Sequence, residues 1–141
     1  MLNLTEFAEE LHEVTAWQET PVVLQMEDYI KIVQRALRKF FVDINHPEEY
    51  NTNLYIIDDD GDVLYDREFL IDEEEYILTL CKIEFFKRVQ SDVNNVFGYS
   101  TDALTVTNAD KPYVNLQTTI SDLEHERRIN FNKMIRYTLG T

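Results

Sequence analysis

Read as a helix, the segment from Tyr76 to Val96 is apolar around most of its circumference. Leu78, Cys81, Phe85, Val89, Val93 and Val96 follow at spacings of three and four and share one face. Tyr76, Leu80, Ile83 and Phe86 widen that face greatly. A helix with one narrow stripe lies on a core, whereas one this wide has to be covered from more than one side. The fold must therefore place this helix at its centre and supply at least two partners for it. Asp72 with Glu75 three residues on is a capping pattern at its start, and Glu73 and Glu74 suit a positive helix N-terminus. Gly98 after Phe97 is a natural C-cap, so a helix is predicted over about 72–97.

The partners are legible by the same periodicity. Asn3 and Glu6 form a variant of the capping box, and Leu4, Phe7, Leu11 and Val14 share a face, which predicts a helix over about 3–17, broken by Glu19-Thr20-Pro21. A second helix is predicted over about 25–44, with an apolar stripe of Met26, Ile30, Val33, Leu37, Phe40 or Phe41, and Ile44; His46-Pro47 ends it. On another face of that helix Lys31, Arg35 and Arg38 form a basic stripe at i, i+4 and i+7. Asp110 and Pro112 announce the last helix, over about 113–139. Its seam begins with Tyr113, Leu116, Ile120 and Leu123, then meets Arg127 and Asn130 before Met134 and Tyr137, so a long independent coiled coil is not expected. Ahead of this helix, Ala103-Leu104-Thr105-Val106-Thr107 has strand character.

Between helices two and three lies IIDDDGDVLYD, residues 56–66. Five aspartates and a glycine suggest a calcium loop. With Gly61 at the sixth position, Asp60 and Asp58 fill the fifth and third. The first position is then Ile56, which has no ligand atom, and the twelfth is Arg67, which repels a cation. A hairpin fits better, over about 53–67, because Asp60-Gly61 is a strong two-residue turn signal. That turn pairs Asp59 with Asp62, Asp58 with Val63, Ile57 with Leu64 and Ile56 with Tyr65. The resulting tip carries Asp58, Asp59, Asp60 and Asp62, and is solvated or meets something basic.

The fold expected is mainly α with a small β-hairpin (α+β), one domain over 1–141. It has four helices, two of them long, the hairpin between helices two and three, and a short extended segment before the last helix. Parallel βαβ units are absent, which argues against a doubly wound enzyme fold. With only three glycines and three prolines among 141 residues, long regular elements and few long loops are expected.

Twenty-seven acids against 13 bases give a net charge of −14. Residues 1–50 hold −6, residues 58–75 hold −9 and residues 76–141 hold +1. Free binding to nucleic-acid phosphates is not expected of such a chain. The uneven distribution suits head-to-tail packing of copies, or simply a soluble acidic surface. No stretch reaches the roughly 18 apolar residues of a membrane span, and no signal peptide is apparent at Met1-Leu2-Asn3. The lone Cys81 is expected in the core, in a reducing, cytoplasmic setting. His12, His46 and His125 lie far apart and lack zinc spacing; no glycine-rich phosphate loop or nucleophile elbow occurs. No catalytic residue, cofactor or metal is therefore assigned. Trp17 is either an interface residue or a cap over the core.

On IDEEEYILTLCKIEFFKRV (71–89) and STDALTVTNADKPYVNLQTTISDLEHERRINFNKM (100–134), together with size, acidity and helical order, the chain resembles the small head-tail connector (adaptor, head-completion or neck) proteins of tailed bacteriophages. The resemblance covers most of the chain and rests on no signature motif. It implies a non-catalytic virion protein that forms a ring, often a dodecamer, beneath the portal of the capsid. Such a ring extends the DNA channel without binding DNA specifically and offers a surface to the tail or a second neck protein. The virion neck, and the host cytoplasm during assembly, is the implied location. In that setting Asp58, Asp59, Asp60 and Asp62 reach toward a neighbour or the lumen, while Lys31, Arg35 and Arg38 close acidic-to-basic contacts. The competing reading is an acidic DNA mimic that decoys a host nuclease or DNA-binding protein. A small metal-dependent enzyme has less support.

Overall fold

The computed structural model describes residues 1–15, 24–97 and 110–139. In chain order these form β1 (Leu2–Asn3), α1 (Leu4–Thr15), α2 (Met26–Asp43), two short 3-10 turns (Pro47–Glu49 and Thr52–Leu54), β2 (Tyr55–Ile57), β3 (Val63–Tyr65), α3 (Ile71–Phe97) and α4 (Asp110–Leu139). The protein is mainly α with a small antiparallel sheet. Trp17, the strand-like segment 103–107 and the Gly98 cap lie outside the described residues.

As its composition requires, α3 is central. α2 packs along one side of it and α4 along another, while α1 lies on α2 and also reaches α3. Tyr76, Ile77, Leu80, Cys81, Ile83 and Phe85 are all at most 2% exposed. Burial in apolar surroundings also pushes the Cys81 thiol well above the ordinary range, so the group is an unreactive part of the core.

The buried face of α2 differs from the predicted stripe. Tyr29, Ile32, Val33, Ala36, Leu37, Phe40 and Phe41 are buried, whereas Met26 is 41% exposed and Ile30 and Ile44 pack only at the margin. α2 touches two helices, so its buried arc is wider than one stripe and is centred elsewhere. Tyr29 stacks on Phe85 of α3 at 5.8 Å and takes the place assigned to Ile30. On α4 the polar seam positions are satisfied rather than disruptive. Asn130 Nδ2 donates to Thr79 Oγ1 (3.0 Å), and Thr79 Oγ1 donates to the Glu75 carbonyl (3.1 Å). A half-polar helix can thus lie along an apolar one with its donors paired.

The helix ends follow local chemistry. Asn3 Oδ1 accepts from the Glu6 backbone N–H (3.0 Å), so the first residue pair read as a cap is one. Asp28 Oδ2 accepts from the Gln25 N–H (3.0 Å) at the start of α2. α2 ends in a Schellman motif: His46 N–H donates to the Phe41 carbonyl (2.9 Å), Asn45 N–H to that of Val42 (3.0 Å), and Asn45 takes the left-handed conformation (φ 64°). The predicted Asp72–Glu75 cap does not form. α3 begins one residue earlier, and Glu73 Oε1 accepts from the Leu70 N–H (2.8 Å), leaving Asp72 inside the first turn.

The hairpin exists, but its register is shifted by one residue from the two-residue turn. Ile57 pairs with Val63, Ile56 with Leu64 and Tyr55 with Tyr65. The two-residue turn needs positive φ at both Asp60 and Gly61; of these, Gly61 alone has it (φ 83°). The chain instead makes a turn closed by Gly61 N–H to the Asp58 carbonyl (3.1 Å), followed by Gly61 in the left-handed region, with Asp58 N–H bonded to the Asp62 carbonyl (3.0 Å). This is a three-residue loop with a glycine bulge. β1 adds a third strand on the far side of β3, pairing Leu2 with Tyr65, so the sheet order is β1-β3-β2.

A Cβ on Gly61 would meet nothing within 4 Å, so a substitution there tests conformation alone. Gly61→Ala is expected to lose about 1 kcal/mol, the strain of an L-residue in the left-handed region. Gly61→Asn should lose less, because asparagine tolerates that region. Urea titrations of the two variants check the difference; equal stability of all three proteins would be incompatible with this turn.

Candidate interface surfaces

Two exposed surfaces of opposite sign are built on this scaffold. The first lies on α2. The arc centred on Phe40 and Ala36 is buried, so the positions opposite must face solvent. Lys31, Arg35 and Arg38 occupy them and are all exposed. Val42, four residues beyond Arg38 and 55% exposed, continues the same ridge. Among the described residues none of Lys31, Arg35 and Arg38 forms an ion pair or hydrogen bond.

Beside this ridge the α2–α3 seam opens into a cleft of about 440 Å³. Lys31 and Arg35 stand on its α2 wall, Lys87 and Arg88 on its α3 wall, and buried Ile32 also lines it. Lys87 and Arg88 are held in place by acids: Lys87 Nζ lies 3.5 Å from Glu124 Oε1, and Arg88 Nη2 lies 3.1 Å from Asp28 Oδ1. The Gln25 N–H, with Arg88 and Lys31, holds the Asp28 carboxyl below the ordinary aspartate range. Burial alone would raise the Glu124 carboxyl, but Arg127 and Lys87 hold it below the ordinary range. A smaller hollow of about 220 Å³ runs on past Arg38 to Tyr50.

Lys87 and Arg88 were missed because periodicity is read one helix at a time. The signal was present in Glu84, Lys87, Arg88 and Ser91, a polar face at i, i+3, i+4 and i+7 on an otherwise apolar helix.

The second surface is the hairpin tip, and its four aspartates are not equivalent. Asp58 Oδ1 accepts from the backbone N–H of Asp60 (3.0 Å) and of Asp62 (2.8 Å), so this carboxylate builds the turn. Asp62 Oδ2 accepts from Asn3 Nδ2 (3.3 Å), which ties the strand to β1. Asp59 and Asp60, the central turn residues, are exposed, and their carboxylates meet no partner among the described residues.

Arg67, the odd cation in this acidic stretch, turns away from the tip. Its guanidinium lies over the rings of Phe41 (4.8 Å) and Phe69 (4.9 Å) and approaches Glu49 Oε2 at 3.4 Å. It lines a second cleft of about 520 Å³ whose rim holds Asp43, Glu49 and Glu73 and whose apolar wall includes Phe131.

Compared with protein-family models, curated proteins and solved structures, the sequence and fold match none of them. The site has to be judged on its own geometry. Among the described residues no group of three or more His, Cys, Asp or Glu side chains is placed to hold a metal ion. No helix among them is long and apolar enough to cross a membrane. What the two surfaces can do chemically is bind surfaces of opposite charge.

Proposed function

We propose that the chain is a structural subunit of a ring adaptor between the portal of a tailed-phage capsid and its tail, and not an enzyme. The observation that carries this reading is the ridge of Lys31, Arg35 and Arg38, exposed and, among the described residues, in no ion pair, in a chain of net charge −14. A chain this acidic that still lines up three cations on one exposed helix face is suited to contacts between copies or with another protein. The resemblance of residues 71–89 and 100–134 to head-tail connectors supports the same reading. In a ring, the acidic remainder lining a channel repels phosphate and lets DNA pass without sticking. The tail-side partner is a tail or second neck protein.

A DNA mimic has the opposite requirement, since it must present an unbroken acidic face; the cationic cleft runs against that design. Electron microscopy of the purified protein mixed with portal separates the two. Rings seated on the portal are the expected result. A monomer that ignores portal but captures a DNA-binding protein or nuclease would overturn the adaptor reading in favour of the decoy.

A further inference from the structure

We propose that the hairpin tip of one copy enters the α2–α3 cleft of a second copy, with Asp59 and Asp60 meeting Lys31 and Arg35. This inference rests on the adaptor reading but concerns only the contact between copies, which can be tested without portal.

The occupant is chosen by charge and by what is already satisfied. Lys87 and Arg88 are engaged by Glu124 and Asp28, and of the remaining charges that line the cleft Lys31 and Arg35 outnumber the one acid, Glu84, so its surplus is positive and lies on the α2 wall. The matching group must be acidic, exposed and narrow enough to enter a seam between two helices. At the tip, Asp58 and Asp62 spend their carboxylates on the turn and on Asn3, which leaves Asp59 and Asp60 at its apex. The glycine bulge and the Asp58 turn bonds hold that apex in one shape, so little ordering is needed on contact. Among the described residues of one chain neither Asp59 nor Asp60 pairs with a cation, which suits the tip to a cation on another copy. A tip and a cleft are different patches, and the contact is therefore heterologous: it propagates into a closed ring or an open filament.

Two variants test this. Lys31→Glu with Arg35→Glu reverses the cleft and moves the net charge from −14 by −4 to −18. Asp59→Lys with Asp60→Lys reverses the tip and moves it by +4 to −10. All four positions are exposed, and circular dichroism checks that folding is retained. Each variant alone faces like charge on like charge and is expected to self-associate at least about tenfold more weakly than the unaltered chain in sedimentation at low salt. An equimolar mixture is expected to recover association, because each reversed surface then meets its complement in the other variant. Both variants remain strongly acidic, so non-specific attraction does not explain recovery.

A mixture no more associated than its components overturns the proposal. So does an unaltered chain that stays monomeric at low salt and millimolar concentration. Binding of a short DNA duplex that the cleft variant abolishes, without self-association, would assign the cleft to phosphate and also overturn it. Rings on portal that survive both variants would remove this contact yet leave the adaptor reading standing; association through tip and cleft with no portal binding would do the reverse.

Discussion

Tyr65→Ala is expected to lose about 3–5 kcal/mol of stability, a large share of the roughly 5–15 kcal/mol of an ordinary domain. Tyr65 is fully buried and stands where the sheet meets the helices. Its ring lies 5.0 Å from Tyr55, 6.1 Å from Phe41, 6.2 Å from Phe69 and 6.2 Å from Tyr50, on which it stacks at 9°. Its backbone pairs with both flanking strands, Leu2 on one side and Tyr55 on the other. Its hydroxyl accepts from the Asn51 N–H (3.1 Å). Removing the ring therefore opens a cavity between α2 and the sheet and leaves that N–H without its partner. Tyr65→Phe isolates the second effect and is expected to lose about 1 kcal/mol. Urea unfolding followed by circular dichroism measures both. If Tyr65→Ala lost no more than Tyr65→Phe, the aromatic cluster would not be holding the sheet to the helices.

This cluster also marks the boundary of what sequence reading reaches. The position of the hairpin was legible, because Asp60-Gly61 between β-branched and aromatic runs leaves few alternatives. Its register was not, since that depends on whether Asp60 or only Gly61 adopts positive φ, and an aspartate is permitted either choice. A shift of one residue decides which face Tyr65 takes, so the main tether of the sheet could not be named from pattern alone. β1 was invisible for a different reason: two residues carry no periodicity. The central place of α3 was legible because its apolar arc is too wide for one partner. The centre of the α2 arc was not, because two overlapping stripes satisfy the same 3.6-residue period. At the candidate interface, Lys31, Arg35 and Arg38 were legible as a single-helix stripe. Lys87 and Arg88 join them only through the packing of α3 on α2, some fifty residues away in sequence. The unequal roles of the four tip aspartates were also hidden, because they follow from hydrogen bonds that only the turn geometry assigns.

Tyr76→Ala is the second substitution expected to lose about 3–5 kcal/mol, and here the loss should be uneven along the chain. Tyr76 is fully buried on α3 at the point where α2 and α4 both meet it. Its ring lies 6.3 Å from Phe40 of α2 and 5.6 Å from Phe131 of α4. Its hydroxyl donates to Asp43 Oδ2 at the end of α2 and accepts from Arg127 Nη1 of α4 (3.4 Å). Burial, and the bond to the Asp43 carboxylate, push the phenol well above its ordinary range, so it stays a neutral donor. Arg127 extends the chain of contacts through Glu124 (2.9 Å), which also pairs with Lys87 on the wall of the cationic cleft. α2 keeps its contacts with α1 and the rest of α3, whereas α4 rests chiefly on α3. Loss of the Tyr76 ring should therefore loosen α4 before it loosens α2. Tyr76→Phe keeps the ring and removes only the hydroxyl; with Asp43 and Arg127 both partly solvated, about 1–2 kcal/mol is expected. Hydrogen exchange over residues 117–135 distinguishes the two variants: protection there should fall further than in α2 for Tyr76→Ala and change little for Tyr76→Phe. Equal loss of protection in α2 and α4 would mean that the helices unfold as one unit. In that case Tyr76 would be an ordinary core residue and not the junction through which α4 is held to the other helices.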